Sequence, residues 1–368
     1  MWNLSDLEDY LPLLRKHRRA LHRIPEPAYG EVKTSAYVEG ELKALGLPVT
    51  RAGTGLWADL PGEGEALLFR ADMDALPIRE ETGAGCASVH PGIMHACGHD
   101  AHMANLLTFA AFCCDHREAL TRPVRFLFQP GEEAEGGAQR MIGAGALEGV
   151  GEVYALHVDP QRKAGHAGLW AGPIMAGAME FDLVFSGRAA HCAEREAGRD
   201  ALAAALWLIG RFPELEQTFP GVLHCGRLTA GEARNVVASS ALAECTYRFF
   251  DPEHREALLR ELQALAADAG PDIRAEVRVR VVYPPVINDA GAVERAEKLL
   301  RLPERMDPLF TAEDFAFYLR ERPGCLIWLG VAEGEPGRLH TPTLFFDERP
   351  LLDGLLFFVR LATQTKFS

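Results

Sequence analysis

Three short apolar runs dominate the first half of the chain: 66–71 (ALLFRA), 123–129 (PVRFLFQ) and 152–158 (EVYALHV). Helix-like stretches separate them. Residues 31–46 (EVKTSAYVEGELKALG) read as a helix stopped by Gly46, residues 101–114 (AHMANLLTFAAFCC) as an apolar helix, and a further helix is expected near 137–147. Buried strands alternating with helices predict an α/β domain around a mostly parallel sheet. In such sheets ligands gather beyond the carboxyl ends of the strands. The residues that follow each run are therefore where chemistry is expected.

From about residue 175 the texture changes. Residues 178–188 (AMEFDLVFSGR) alternate like a half-exposed strand, a helix follows near 199–211, and strand-like segments cover 221–229 and 241–250. A helix over 252–269 and a strand over 273–283 complete a compact α+β unit, two helices with about four strands, of a size that suits an inserted domain. Pro284-Pro285 marks the return point. Beyond it the α/β character resumes, with helices near 290–301 and 313–320 and a strand at 325–330 (CLIWLG). The expected organisation is one domain in two pieces, 1–174 and 286–368, interrupted by a smaller domain over 175–285.

The densest chemistry is Met94-His95-Ala96-Cys97-Gly98-His99-Asp100-Ala101-His102, with five possible metal ligands in eight positions. Thiolate and imidazole together suit zinc and related ions. A glycine-containing loop entering a helix lets such ligands converge. Gln129-Pro130-Gly131-Glu132-Glu133 directly follows an apolar strand. Two adjacent carboxylates repel unless a cation lies nearby, and they can divide labour, one binding metal and the other taking a proton from water. Asp72 and Asp74 follow another strand, and His157 lies near the end of a third. Three strand ends thus each deliver a group that can bind metal or orient a ligand. His340, in Arg338-Leu339-His340-Thr341-Pro342, reads in isolation as an ordinary loop histidine.

Taken in order, these segments resemble the M20 metallopeptidase family, and within it the amidohydrolase branch of hippurate hydrolases, N-acetyldiaminopimelate deacetylases and plant auxin-conjugate hydrolases. The likeness begins at Leu21-His22-Arg23-Ile24-Pro25-Glu26. It runs through Arg70-Ala71-Asp72-Met73-Asp74-Ala75-Leu76-Pro77, the cysteine–histidine cluster, Phe128-Gln129-Pro130-Gly131-Glu132-Glu133 and Ala155-Leu156-His157-Val158 to Ala312-Glu313-Asp314-Phe315 and Leu339-His340-Thr341-Pro342. The resemblance implies a phosphorylase/hydrolase-like catalytic domain with an inserted lid that carries a homodimer contact. It implies two divalent ions (Zn, or Mn, Co or Ni) on Cys97, His99, Glu133, His157 and His340. Glu132 then matches the general base, and Asp74 an aspartate that orients a ligand by hydrogen bonding. In the lid, His191 of Ser186-Gly187-Arg188-Ala189-Ala190-His191 matches a histidine that assists the substrate carbonyl, often across the dimer. Asn235 matches a substrate contact, and Arg248 is a candidate partner for the substrate carboxylate. The implied reaction is hydrolysis of the amide bond of small N-acyl amino acids.

The chain departs from its relatives in two places. Gly131 stands where Ala is frequent, and the stretch from His191 through Cys192, Glu194 and Arg195 lacks the Pro-His and Asp-Pro pairs common there. The second departure bears on the substrate rather than on the metal cluster.

Composition removes several other functions. A net charge of −14 disfavours nucleic acid as a partner. No apolar run approaches the roughly 20 residues that span a bilayer, and the charged N-terminus is no signal peptide. A cytoplasmic enzyme without membrane attachment is expected, its eight scattered cysteines reduced. Three alternatives stay open from the residues: a cysteine hydrolase using Cys97, a non-catalytic metal-binding protein, and a dipeptidase on the same scaffold.

Overall fold

The computed structural model describes residues 2–134, 136–334 and 337–364. Two compact units emerge. The first comprises the chain up to Ile174, Ile287–Asp307, and the part from Asp314 onward; the second comprises Met175–Val286 and Pro308–Glu313.

In chain order the first unit begins with α1 (Leu11–His22), α2 (Val32–Ala44), β1 (Val49–Ala52), β2 (Gly55–Leu60), β3 (Ala66–Asp72), α3 (His99–Asp115), β4 (Val124–Gln129), α4 (Gly137–Gly143), β5 (Val150–Lys163), β6 (His166–Leu169) and β7 (Gly172–Met175). The second unit holds β8 (Gly177–Ser186), α5 (Ala201–Ile209), α6 (Phe212–Thr218), β9 (Val222–Ala230), β10 (Ser240–Phe249), α7 (Pro252–Ala267) and β11 (Arg274–Tyr283). The chain closes with β12 (Val286–Asn288), α8 (Ala290–Leu299), β13 (Leu302–Arg305), α9 (Ala316–Glu321), β14 (Gly324–Ala332) and α10 (Leu351–Thr363).

An eight-stranded sheet, ordered β1-β2-β4-β3-β5-β14-β6-β13, organises the first unit. Its centre, β4-β3-β5-β14, is parallel, and antiparallel β2 and β6 flank it. Every residue of β3 is buried, as a strand covered on both faces requires. The 99–115 helix is also buried nearly all round, because it packs between α1, α10 and the sheet. Helix α1 sets Leu11, Leu14, Arg18 and Leu21 on one buried face, the 3.6-residue stripe of an amphipathic helix.

The second unit is a four-stranded antiparallel sheet, β11-β8-β10-β9. Along β10, Ala241, Ala243, Cys245, Tyr247 and Phe249 turn into a core formed with α5, α6 and α7, while alternate residues stay half-exposed.

Several sequence expectations need adjustment. Strand β5 runs six residues past His157, because β14 continues to pair with it as far as Ala332↔Lys163. Its pairing with β3 ends earlier, at Arg70↔Ala155, so His157 still lies beyond the edge of β3. Helix α4 stops at Gly143, before a turn at Gly145 with φ +93°. The 178–188 segment is mostly buried rather than half-exposed, since β8 is flanked on both edges. The second unit has a third helix, α6, entered at Pro213. No helix among the described residues is long and apolar enough to cross a membrane.

Candidate metal centre

The site lies where β3 and β4 end, against His157 on β5. Cys97 and His99 flank Gly98, which adopts φ +87° at the start of α3. A Cβ there would sit 2.4 Å from Val158 Cγ2. Only glycine lets the chain turn so tightly against β5, and the turn sends the Cys97 and His99 side chains to one spot. Cys97 Sγ lies 3.5 Å from His157 Nε2.

Backbone groups fix the histidine tautomers. His99 Nδ1 donates to the carbonyl of Asp74 at 2.8 Å, and His157 Nδ1 donates to the carbonyl of Val158 at 2.9 Å. A carbonyl only accepts, so both rings carry a proton on Nδ1 and turn Nε2 toward the cluster. His99 Nε2 is buried without a hydrogen-bond partner. Such an orphan in a buried site calls for an unseen ligand.

The carboxylates arrive on a turn that Asp74 holds. Asp74 Oδ1 and Oδ2 accept the backbone N–H groups of Glu132 (3.1 Å) and Glu133 (2.9 Å). Asp74 thereby ties His99, through its carbonyl, to both glutamates, through its carboxylate. Glu132 Oε2 stands 4.0 Å from His99 Nε2. His340 comes from far along the chain. Its N–H donates to Ala96 at 2.7 Å, its φ is +59°, and its Nε2 lies 3.1 Å from Glu133 Oε1. A left-handed non-glycine residue costs about 1–2 kcal/mol, and such strain collects at functional sites.

Two triads, Cys97–His99–His157 and Cys97–Glu133–His340, each hold their candidate ligand atoms within 4.8 Å of one another. They share the Cys97 sulfur. A third set, His99–Glu132–Glu133, brings in the second glutamate. Five donors that sequence reading placed in four distant segments thus form one cluster. Its electrostatics differ from member to member: burial holds His157 well below its ordinary value. Burial opposes ionisation of the Cys97 thiol and raises its pKa. Burial also opposes a charge on His99, yet Asp72 and the Cys97 sulfur outweigh it and hold that imidazole well above its ordinary value. Hydrogen bonds to Cys97 and Glu133 raise His340 to about 10. Sulfur, imidazole and carboxylate converging on an orphaned nitrogen fit divalent cations.

Behind the cluster is a buried network whose hub the sequence reading missed. Arg70 donates to Gln129 Oε1 (2.9 Å), Asp72 Oδ2 (2.7 Å) and Asp314 Oδ1 (2.9 Å). Asp314 also accepts from Gln129 Nε2 and from the N–H of Ala138, each at 2.8 Å. The available signal was a charged residue inside the run ALLFRAD, since a buried arginine demands partners.

Residues 68–364 match the family model described as Peptidase family M20/M25/M40. The chain belongs to the M20 family. It is 35% identical over 378 residues to the N-acetyl-L-cysteine deacetylase of Bacillus subtilis (strain 168), across 98% of this chain and 89% of the relative. A Bacillus subtilis crystal structure described as a dinuclear metal-binding peptidase of the M20 family superposes with TM-score 0.87 at 31% identity, over 97% of this chain and 98% of that one. An aminopeptidase structure from Bacillus cereus, at 18% identity and TM-score 0.74 over 96% and 98% of the two chains, shares the fold. As an M20 member with a deacetylase among its relatives, the protein is a metal-dependent amidohydrolase.

The lid candidates lie in the second unit. His191 and Asn235 are exposed neighbours: His191 bridges to Val236, and the N–H of Cys192 donates to the Asn235 carbonyl at 2.9 Å. Ala193 N–H donates to His191 Nδ1 at 3.2 Å, so this ring carries its proton on Nε2. Arg248 stands apart. It pairs with Ala178 and Val222, eight residues along β10 from Ser240, roughly 27 Å at the usual strand rise.

Proposed function

We propose that this M20 enzyme hydrolyses the amide bond of small N-acyl amino acids. Cys97, His99, Glu133, His157 and His340 would hold two divalent ions, zinc being favoured by the thiolate. When bound, such ions supply Lewis acidity and make water more acidic near neutral pH. The observation that carries the proposal is Glu132, a carboxylate 4.0 Å from the orphaned His99 nitrogen and outside the two triads that share Cys97. A metal site that only stabilises the fold has no use for a second carboxylate so placed.

The chain's own residues then divide the work. Asp74 fixes the turn, so Glu132 is held while it takes a proton from water and returns it to the leaving amine. In the lid, His191 offers Nε2–H as a donor to the substrate oxygen that gains charge, and Asn235 beside it contacts the substrate. Arg248 is proposed as a separate carboxylate partner, and the lid as the homodimer contact. A cytoplasmic setting fits the eight scattered cysteines, all of them free.

The Bacillus subtilis relative's name makes N-acetyl-L-cysteine the first substrate to assay. The experiment is a hydrolysis screen of acetyl-, benzoyl- and succinyl-amino acids, N-acetyldiaminopimelate and dipeptides with defined metals. Turnover of acyl-amino acids above dipeptides is expected. The reverse preference would show a dipeptidase, and activity that survives full metal removal would point to Cys97 as a nucleophile.

A further inference from the structure

We infer that His102 is a positioning residue: it orients His157 by holding the N–H of the peptide that joins His157 to Val158, and it does not itself bind metal. The inference rests on the proposed assignment of His157 as a ligand. His102 Nε2 accepts the N–H of Val158 at 3.0 Å. A backbone amide only donates, so Nε2 is unprotonated and the proton sits on Nδ1. That Nδ1–H donates to Asp72 Oδ1 at 2.6 Å. The other Asp72 oxygen accepts from Arg70 Nη1 at 2.7 Å. Asp72, His99 and His102 bring potential ligand atoms within 4.8 Å of one another, which suggests a cation site by proximity. Yet both His102 nitrogens and both Asp72 oxygens are already engaged, and a guanidinium lies beside them.

One residue serves both histidines through two successive peptides. The Val158 N–H, in the peptide that joins it to His157, goes to His102, and the Val158 carbonyl, in the next peptide, accepts His157 Nδ1–H at 2.9 Å. The two rings also touch, with centroids 4.7 Å apart and planes at 66°. Holding the peptide that joins His157 to Val158 fixes the backbone from which the His157 side chain springs, and the Val158 carbonyl then directs Nδ1–H, so that the opposite nitrogen faces Cys97. The chain Arg70–Asp72–His102–Val158 thus carries orientation from the buried centre of the sheet to His157. Partners of this kind change metal affinity by about 10- to 100-fold when removed.

The test compares zinc binding to the wild-type full chain, His102→Gln and His102→Asn, with histidine side chains labelled in 15N. Glutamine's amide oxygen reaches the place of Nε2 and keeps an acceptor for Val158. Asparagine reaches only the place of Nδ1 and leaves that N–H bare. Both variants lose the same ring packing, so a merely structural role moves them equally. Zinc affinity within about threefold of wild type is expected for His102→Gln, and a 10- to 100-fold loss for His102→Asn. In the wild type, zinc should shift the His157 Nε2 resonance and leave His102 as the Nδ1–H tautomer. Equal affinity of the two variants, or a ligand-type shift at His102 Nε2, would overturn the inference; the wild-type spectra decide even if the asparagine variant does not fold. Zinc binding with no response at His157 would instead overturn the ligand assignment on which it rests.

Discussion

Gly98 joins the two proposed ligands Cys97 and His99, and its replacement by alanine has a cost that follows from the geometry. At φ +87° an L-residue carries about 1–2 kcal/mol of backbone strain. The added Cβ falls 2.4 Å from Val158 Cγ2, an overlap in a well-packed core that costs about 1–3 kcal/mol to relieve. Gly98→Ala should therefore destabilise by about 2–5 kcal/mol. At about 2–4 °C per kcal/mol for a unit of this size, the melting temperature should fall by about 10 °C. Val158→Ala removes the colliding methyl. In the double variant the overlap disappears and only the backbone strain remains, giving a favourable coupling of about 1–3 kcal/mol. The assay is thermal unfolding of the four proteins in one chelator-containing buffer. Additivity within about 0.5 kcal/mol would refute the packing argument and leave backbone strain as the sole reason for glycine.

Further outcomes follow from the same geometry. Cys97→Ala deletes the one atom common to both triads, so bound metal should fall below one ion per chain, whereas His340→Ala should retain one; metal content after desalting distinguishes them. Asp74→Asn turns one acceptor into a donor facing an N–H of the glutamate turn and should reduce metal affinity or turnover by about 10- to 100-fold, measured by chelator competition and initial rates. Burial, helped by Lys16 against the pull of Glu41, holds His17 at about 4, below the ordinary 6.5. The unfolded chain therefore takes up a proton that the folded chain refuses. This stability is complete above pH 6.5 and is lost as pH falls toward 4, to a total of about 3 kcal/mol. His17→Gln should lose less stability than wild type between pH 7 and pH 4.5, as read by denaturant midpoints; an unchanged acid limb would show that His17 titrates normally.

The parts of the site legible in the sequence were local ones. Asp74, Glu132 and Glu133 immediately follow apolar runs, and Cys97 and His99 share one loop, so short-range pattern was enough to find them. The buried α/β core was legible for the same reason: ALLFRA and PVRFLFQ can be little else than covered strands. What escaped depends on partners far away in the chain. His340 was reached only through the family resemblance of Leu339-His340-Thr341-Pro342, because its place is set by a left-handed backbone and a bond to Ala96. The need for glycine at 98 is set by Val158, sixty residues on. His102 sits among true candidates in the cysteine–histidine segment, and only the direction of its hydrogen bonds separates a support from a ligand. Helix α10 and the flanking strands β1, β2, β6 and β13 were not anticipated. The run LLFFVRLA is apolar enough for strand or helix, and short edge strands are defined by the neighbour they pair with.

The central claim is that Glu132 serves as general base beside a metal cluster it does not hold together. The most direct test is turnover of metal-loaded Glu132→Gln on the best substrate from the screen, with metal content measured on the same sample. The account predicts wild-type metal content and turnover lower by about 10²- to 10⁴-fold. Full turnover with metal bound would contradict it.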